Sequence, residues 1–491
     1  MNLDEDIKPK MVSSHSRVAL AIGTDPRTWN YRYMFERPGI KGQALDDGLE
    51  EMTKAIQEAY NLSREDIADP SVTAQESVYI VGRISPLLTR EDKTPKLTDG
   101  MIIEASRAIG SGSRTPLRFS SKVIMRGLPT KSGGKIMHTG GNGRQIGLFP
   151  GMIAGFKGRN GGGDGFVVEE VLLPPALPLP ASVPSDLYRF HFAPSALDGD
   201  SLQIQVASGP YTSDDNLDFT PWHQLMNQVE KQKPDVILLL GPFLSAQHSS
   251  LMDPGLTELP QDIFQRHISK RLNRLCELTS RTTAILLPST KDIVSLHAAW
   301  PQPMFDKASL GIHKRVKCLP NPCLFSINEI VLGATTADVL RDLRGQEMVM
   351  DVASDIGCSD LSGEKDRDGM SRTVRQLFHQ RHFYPLLPTP SDVPLDITHS
   401  KLAAFPSVTP DVLLLPSVLA PFARVVDGAV VVNPGSCAKG STLGRGSFAT
   451  MQIQSLDRED LQQKMQSENE QEDVKVSHQV YNRARVDVFR I

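Results

Sequence analysis

The chain has 491 residues, 40% hydrophobic and 22% charged, and its 53 Lys and Arg against 57 Asp and Glu give a net charge of −4. That length fits about two or three cores, because single cores stop growing at roughly 250–300 residues. The charge balance excludes a uniformly basic surface for nucleic acid or anionic lipid. The longest apolar runs, Val236 to Leu244 and the proline-broken Val412 to Phe422, fall short of the ~20 residues of a membrane helix.

The N-terminus, MNLDEDIKPK, is polar and of mixed charge, unlike a secretory signal. Five cysteines form an odd, sparse set that suggests reduced thiols of the cytosol or nucleus. Cys318 and Cys323, in CLPNPC, are the close pair; no second pair at similar spacing completes a zinc site, so they read as structural thiols. Asn61-Leu-Ser is a formal glycosylation acceptor with no other sign of secretion beside it.

After a polar stretch to about residue 35, Leu49, Met52, Ile56 and Tyr60 predict a helix of about three turns, closed by Asp69-Pro70. Ser77–Ile84 and Met152–Phe156 read as strands among the glycine-rich tracts GSGSR, KSGGK, GGNGR and NGGGDG, which suggests a small β-barrel. From Arg107 to Arg159 there are ten Lys or Arg and no Asp or Glu. Two readings are open: a loop facing nucleic acid, or a solvated, disordered insertion. The second fits better, because no aromatic residue between Ser120 and Gly147 offers a stacking platform. Neither GGNGRQIG nor NGGGDG has the form of a phosphate-cradling loop.

VLLPPALPLPASVP, residues 171–184, reads as an extended, proline-rich linker. Beyond it come candidate strands at Leu202–Ala207, Val236–Leu240, Thr283–Leu287, Leu324–Leu332, Val412–Leu415 and Ala429–Val432. Helical stretches lie between them at Trp222–Glu230, Ile263–Ser280 and Thr336–Leu343. The alternation predicts a layered α/β domain. Asp457 to Asp473, acidic and rich in glutamine, is expected to be a mobile loop. The division follows as an N-terminal segment with a short helix (1–72), a barrel with a basic insertion (73–176) and an α/β domain (177–491).

Ligands of α/β sheets sit at the carboxyl ends of strands. The first of these ends runs into Ser208-Gly209-Pro210-Tyr211, the second into Gly241-Pro242-Phe243, and the third into Pro288-Ser289-Thr290-Lys291-Asp292. A late strand runs into Asn433-Pro434-Gly435-Ser436-Cys437. In spacing these loops are similar to those of the calcineurin-type two-metal phosphoesterases, which read Asp-x-His, Gly-Asp-x-x-Asp and Gly-Asn-His-Asp. Two divalent ions roughly 3.5–4 Å apart need carboxylate and imidazole ligands. Proline, phenylalanine and tyrosine supply almost none, and only Asp292 is a plausible ligand, with the repelling Lys291 beside it. His248, His297 and His379 stand outside any Gly-His-x-His arrangement, and no Gly-x-Ser-x-Gly elbow is present. The loops are therefore expected to be vestigial, with no catalytic, metal-ligating or cofactor-binding residue. Gly241 is expected to make the turn while Pro242 and Phe243 stiffen and fill an old cleft.

Some ten short stretches occur in an order that resembles one family. They are Tyr31-Arg32-Tyr33-Met34-Phe35, Leu148-Phe149-Pro150-Gly151, Ala207 to Tyr211, Leu239 to Phe243, Pro288-Ser289-x-x-Asp292, Pro301-Gln302-Pro303, Asn321-Pro322-Cys323, Phe383-Tyr384-Pro385-Leu386, Val432 to Gly435, and Gly446-Ser447-Phe448-Ala449. On these, from about Tyr31 to Ile491, the chain resembles the B subunits of the eukaryotic replicative DNA polymerases, most of all the branch in the DNA polymerase alpha–primase complex. The resemblance implies an OB-fold β-barrel packed on an inactivated calcineurin-like α/β sandwich. It implies a non-catalytic accessory subunit without a cofactor, bound to the zinc-binding C-terminal domain of the catalytic subunit of DNA polymerase alpha. A nuclear complex with the primase subunits, DNA contact that is indirect or weak, and no membrane contact follow from it.

The family usually carries a further N-terminal helical domain and a linker, where here about 30 residues precede the match; either the chain is truncated or its gene model starts late. Two other readings compete: a divergent metal-dependent phosphoesterase using Asp292, and a stand-alone OB protein that binds single-stranded DNA.

Overall fold

A computed structural model describes residues 16–87, 96–110, 112–126, 145–354, 368–440, 446–468 and 474–491. Val236–Leu240 is aliphatic throughout because both of its faces are covered: side chains alternate across a strand, so Val236, Leu238 and Leu240 enter one core while Ile237 and Leu239 enter another. It lies mid-sheet between the parallel strands Leu202–Ser208 and Thr283–Leu287; Lys317–Cys318 flanks one side, and antiparallel Ser447–Ile453 and Ala484–Arg490 flank the other. A second six-stranded sheet faces it, in the order Leu20–Ile22, Cys323–Ile327, Ile330–Ala334, Val412–Leu414, Ala429–Asn433, Phe422–Val426. Ile204, Leu238, Leu332, Leu414 and Val432, all fully buried, fill the space between the sheets.

Helices cover the outer face of the first sheet: Thr220–Gln232, and Pro260 to Leu278, whose middle turn Gln265–Ser269 is π-helical. The outer face of the second sheet carries Leu413, Leu415 and Val431 into a core shared with the barrel. That barrel is built from Ala74–Pro86, Met101–Glu104, Arg114–Met125, Ile153–Asn160 and Phe166–Leu172; a parallel pairing of Arg114–Met125 with Phe166–Leu172 closes it. Five strands closed in this order have the OB topology, so the chain is an OB barrel packed on an α/β sandwich of two facing six-stranded sheets. Among the described residues no helix is long and apolar enough to cross a membrane.

Several sequence expectations change. The first helix runs from Ile40 to Tyr60, 21 residues, nearly twice the expected length. Leu49, Met52, Ile56 and Tyr60 seat its second half on Val81, Ile153 and Leu172 of the barrel, whereas its first half has no matching apolar stripe to announce it. The single strand expected at Leu324–Leu332 is a hairpin, Cys323–Ile327 with Ile330–Ala334. Asn328 takes a left-handed φ of 54° and its Oδ1 accepts the Ala19 amide at 2.9 Å, a two-residue turn hidden in an aliphatic run.

The acidic stretch expected to be mobile forms the helix Arg458–Glu468, begun by Asp457, whose Oδ1 accepts the amides of Glu459 (2.9 Å) and Asp460 (3.0 Å). Leu461 packs on Leu187 of the helix Pro184–Phe192; residues 469–473 lie outside the described residues.

The basic stretch and the linker differ as well. Arg107, Arg114, Arg118, Arg126, Lys157 and Arg159 lie on or beside barrel elements and pair with Asp46, Glu104, Asp164, Glu170, Glu170 and Glu169. They are neither an insertion nor an unpaired charge field, because their carboxylates come from sequence outside the stretch. Residues 127–144, with the tracts KSGGK and GGNGR, lie outside the described residues. The proline-rich segment is strapped down rather than free. Proline has no N–H, but its carbonyl still accepts: Pro174 and Pro175 take His379 and Arg381, and Thr409 binds the carbonyls of Leu177 (2.7 Å) and Pro178 (2.9 Å). Met348–Asp351 pairs with Gln145–Leu148, adding sandwich residues to a barrel-side strand.

Candidate functional site

Asp292 sits between the second and third strand-end loops and is 3% exposed. Its Oδ1 accepts the amides of Phe243 (2.5 Å) and Leu244 (2.9 Å), and its Oδ2 accepts that of Ser289 (2.9 Å). Burial pushes the carboxyl up to about 7, against the pull of these amides. Its accepting capacity is largely spent inside the protein. Ser289, 2% exposed, uses its hydroxyl to accept the Lys291 amide at 3.3 Å, and the Lys291 ammonium lies 3.5 Å from Asp392.

The carboxylate also explains Gly241. A Cβ there would lie 2.5 Å from Asp292 Oδ2 and 2.7 Å from the Ser289 nitrogen. Its φ is not in the left-handed region, so glycine serves clearance rather than the expected turn. Pro242 follows in a cis linkage, as Pro210 follows Gly209. A Cβ on Gly209 would overlap the Pro242 carbonyl, so the first and second loops lie against each other.

Phe243 turns into the core beneath the helices. Its ring stacks on Tyr211 (centroids 5.1 Å, planes 18° apart) and meets Phe264 and Phe305 edge-on at 6.0 and 5.6 Å. Tyr211 is fully buried, its hydroxyl 3.0 Å from the carbonyls of both Ala207 and Leu240, tying two strand ends together. Ser208 and Pro210 offer their carbonyls to the amides of Cys437 (2.7 Å) and Ala438 (2.8 Å). Asn433 Oδ1 accepts the amides of Ser417 and Gly435, and its Nδ2 donates to Leu419 and Ala420. The Pro434 carbonyl accepts the Ser447 hydroxyl at 2.7 Å, and Gly435 turns the chain at φ 71°.

Sequence reasoning passed over the role of Asn321. Fully buried, it donates to Gln302 (3.0 Å) and Thr336 (2.6 Å) and accepts from the Thr335 hydroxyl and Thr336 amide; Thr336 then binds the Pro288 carbonyl. A buried amide of this kind locks the third strand end to the second sheet. Its signal in the sequence was the recurring Asn-Pro dipeptide.

The histidines do not join Asp292. His248 bonds the Ser213 carbonyl and Ser250 amide, His297 the carbonyls of Ala299 and Tyr31, and His379 that of Pro174. Among the described residues, the three-membered grouping of possible metal ligands is Glu36, Asp396 and His399, which excludes Asp292. Cys318 and Cys323 are buried thiols, raised to about 11 and 12 by burial. A donor set of one buried carboxylate, already holding three amides, does not fit a pair of divalent ions.

The short stretches meet in pairs. Pro150 accepts the Leu387 amide (3.0 Å), and a Cβ on Gly151 would lie 2.5 Å from the Pro385 carbonyl. Tyr31 donates to the Pro301 carbonyl at 2.5 Å, and Gln302 and Asn321 exchange backbone hydrogen bonds. The first of these contacts joins the barrel side to the segment after the helix Gly369–His379, and the others join loop segments apart in the chain.

The family model for the B subunit of DNA polymerases alpha and epsilon matches residues 204–424, and the model for the OB domain of the DNA polymerase alpha B subunit matches residues 42–124. The chain is 31% identical to the DNA polymerase alpha B subunit of Schizosaccharomyces pombe over 503 residues, covering 100% of this chain and 78% of that protein. Against the protein of the same name from Saccharomyces cerevisiae identity is 29% over 518 residues, covering 97% of this chain and 67% of that one. Among solved structures, an archaeal phosphodiesterase overlaps 53% of this chain and 95% of its own at 10% identity and a TM-score of 0.25, too low to carry a functional argument.

Proposed function

The chain belongs to the family of DNA polymerase alpha B subunits, and from that premise we propose that it is a non-catalytic accessory subunit that scaffolds the catalytic subunit for initiation of DNA replication. The observation that carries the reading is the Asp292 carboxylate, buried and engaged by three backbone amides where a hydrolase would hold metal. Ser208 to Tyr211, Gly241 to Phe243, Ser289, Asp292 and Asn433 to Gly435 are, on this reading, a vestigial site kept as structure. Buried polar groups that satisfy one another fix a single arrangement of the loops they join.

The partner of this reading is the zinc-binding C-terminal domain of the polymerase alpha catalytic subunit, with the primase subunits in the same nuclear complex. The division into an N-terminal segment (1–72), an OB domain (73–176) and a phosphoesterase-like domain (177–491) is part of the same proposal. It is supported by barrel strands between Ala74 and Leu172. Contact with DNA is indirect or weak in this account, which agrees with Arg114, Arg118, Lys157 and Arg159 of the barrel being paired to carboxylates.

Co-expression of the full chain with that C-terminal domain tests the proposal. A stoichiometric complex that survives gel filtration is expected; failure to co-purify sinks it.

A further inference from the structure

Between the first helix, the barrel and the segment from Gln380 to Pro406 lies a cavity of about 280 Å³. This is large enough for a small organic molecule rather than a single water. Its wall is mostly apolar, with Leu45, Met52, Ile153, Leu386, Leu395 and Phe405 among its residues. Two arginines share that wall, and neither has an ion-pair partner among the described residues. Arg83 is 8% exposed and makes one hydrogen bond, from Nη2 to the Leu45 carbonyl at 2.8 Å. The carboxylates that act on it through space are paired elsewhere, Glu104 with Arg114 and Asp46 with Arg107. Arg381 spends Nε and Nη2 on a single acceptor, the Pro175 carbonyl, at 3.0 and 2.9 Å.

A buried guanidinium with one neutral acceptor is poorly compensated, because taking a cation out of water costs several kcal/mol unless a counter-charge replaces the solvent. Burial lowers the pKa of Arg83 and of the half-buried Arg381, outweighing the through-space pull of Glu104 and Asp46 on the first and of Glu51 and Glu58 on the second. Thr398, also in the wall, has a buried hydroxyl without a hydrogen-bond partner. The acids of the wall are Asp47 and Glu51, and Glu51 faces Lys401 at 3.8 Å near the surface. Apolar walls with unspent planar donors are the complement of a carboxylate carried on an apolar body, since a guanidinium matches a carboxylate in two parallel hydrogen bonds.

We propose that this cavity is a binding site for a small amphipathic carboxylate, its apolar body against Met52, Leu395 and Phe405 and its carboxylate on Arg83 with Arg381. Binding would tie the first helix to the barrel and to the Gln380–Pro406 segment, the three elements that form the wall.

The test uses the full chain with octanoate, octan-1-ol and octylammonium as probes, followed by calorimetry and by methyl NMR. Octanoate is expected to bind saturably and about tenfold tighter than either of the others, which is ~1.4 kcal/mol. Arg83→Met should remove that preference while the octanol affinity stays as it was. Should this variant not fold, contacts in the wild type between the octanoate chain and the Met52 and Leu395 methyls decide the matter. Equal binding of octanol and octanoate, tighter binding of octylammonium, or no methyl contacts at saturating octanoate would each overturn the proposal.

Discussion

Replacing Phe243 by alanine separates a structural loop from a catalytic one. The ring is 1% exposed and touches three other aromatic rings, at 5.1, 5.6 and 6.0 Å between centroids. Removing a buried phenylalanine costs about 3–5 kcal/mol, the transfer of the ring plus the cavity left behind. The three rings around it make the upper half of that range the expected one, since an aromatic pair adds about 0.5–1.5 kcal/mol beyond burial. Phe243→Leu keeps most of the volume and loses the ring geometry, for about 1.5 kcal/mol. Urea unfolding followed by tryptophan fluorescence reads both, because Trp222 packs in the same core. The alanine variant should unfold at clearly lower urea with an unchanged slope, and leucine should fall between it and the wild type. A cost below about 1 kcal/mol for Phe243→Ala, far under the range for a buried ring, would show that the ring is not core, and the reading of the loop would fall with it.

Other perturbations of the same loops have expected signs. Gly241→Ala forces a methyl to within 2.5 Å of Asp292 Oδ2 and should cost about 1–3 kcal/mol in the same assay. Asp292→Ala leaves three buried amides without their acceptor; a loss of about 2–4 kcal/mol is expected, each orphaned donor costing roughly 1–3 kcal/mol before water enters the space. The Asp292 carboxyl, raised from 3.8 to about 7 by burial against its amide bonds, contributes stability that is fully present below the unfolded value and is lost as pH rises through about 7. The stability difference, wild type minus Asp292→Asn, should therefore shrink from pH 5 to pH 8; a gap independent of pH would contradict the assignment. Thr409→Val removes the hydroxyl bond to the Leu177 carbonyl and should cost about 1 kcal/mol while speeding proteolysis between residues 173 and 180; unchanged cleavage would mean that the strap is held elsewhere.

What was legible in the sequence follows from how local the cause is. The strands Val236–Leu240 and Thr283–Leu287 announced themselves because burial on both faces demands an unbroken aliphatic run, and their observed bounds match. The residue types of the strand-end loops were equally plain, since residue type alone decides how many lone pairs and charges a loop carries. Partnerships across the chain were hidden. The carboxylates facing Arg118 and Arg159 come from Asp164 and Glu169, so counting charges from Arg107 to Arg159 exaggerated the bias. Pro174 and Pro175 suggested a free tether because their partners in three dimensions, His379 and Arg381, lie about two hundred residues away. Gly241 was read as a turn because clearance and left-handed backbone favour the same residue, and only the position of Asp292 tells them apart.

The central claim is that the strand-end loops are structure and perform no hydrolysis. Its most direct test is cleavage of bis(p-nitrophenyl) phosphate by the purified full chain with Mn²⁺, beside Asp292→Asn. The account predicts release no faster than in buffer for both proteins. Mn²⁺-dependent turnover by the wild type that disappears in Asp292→Asn would contradict it.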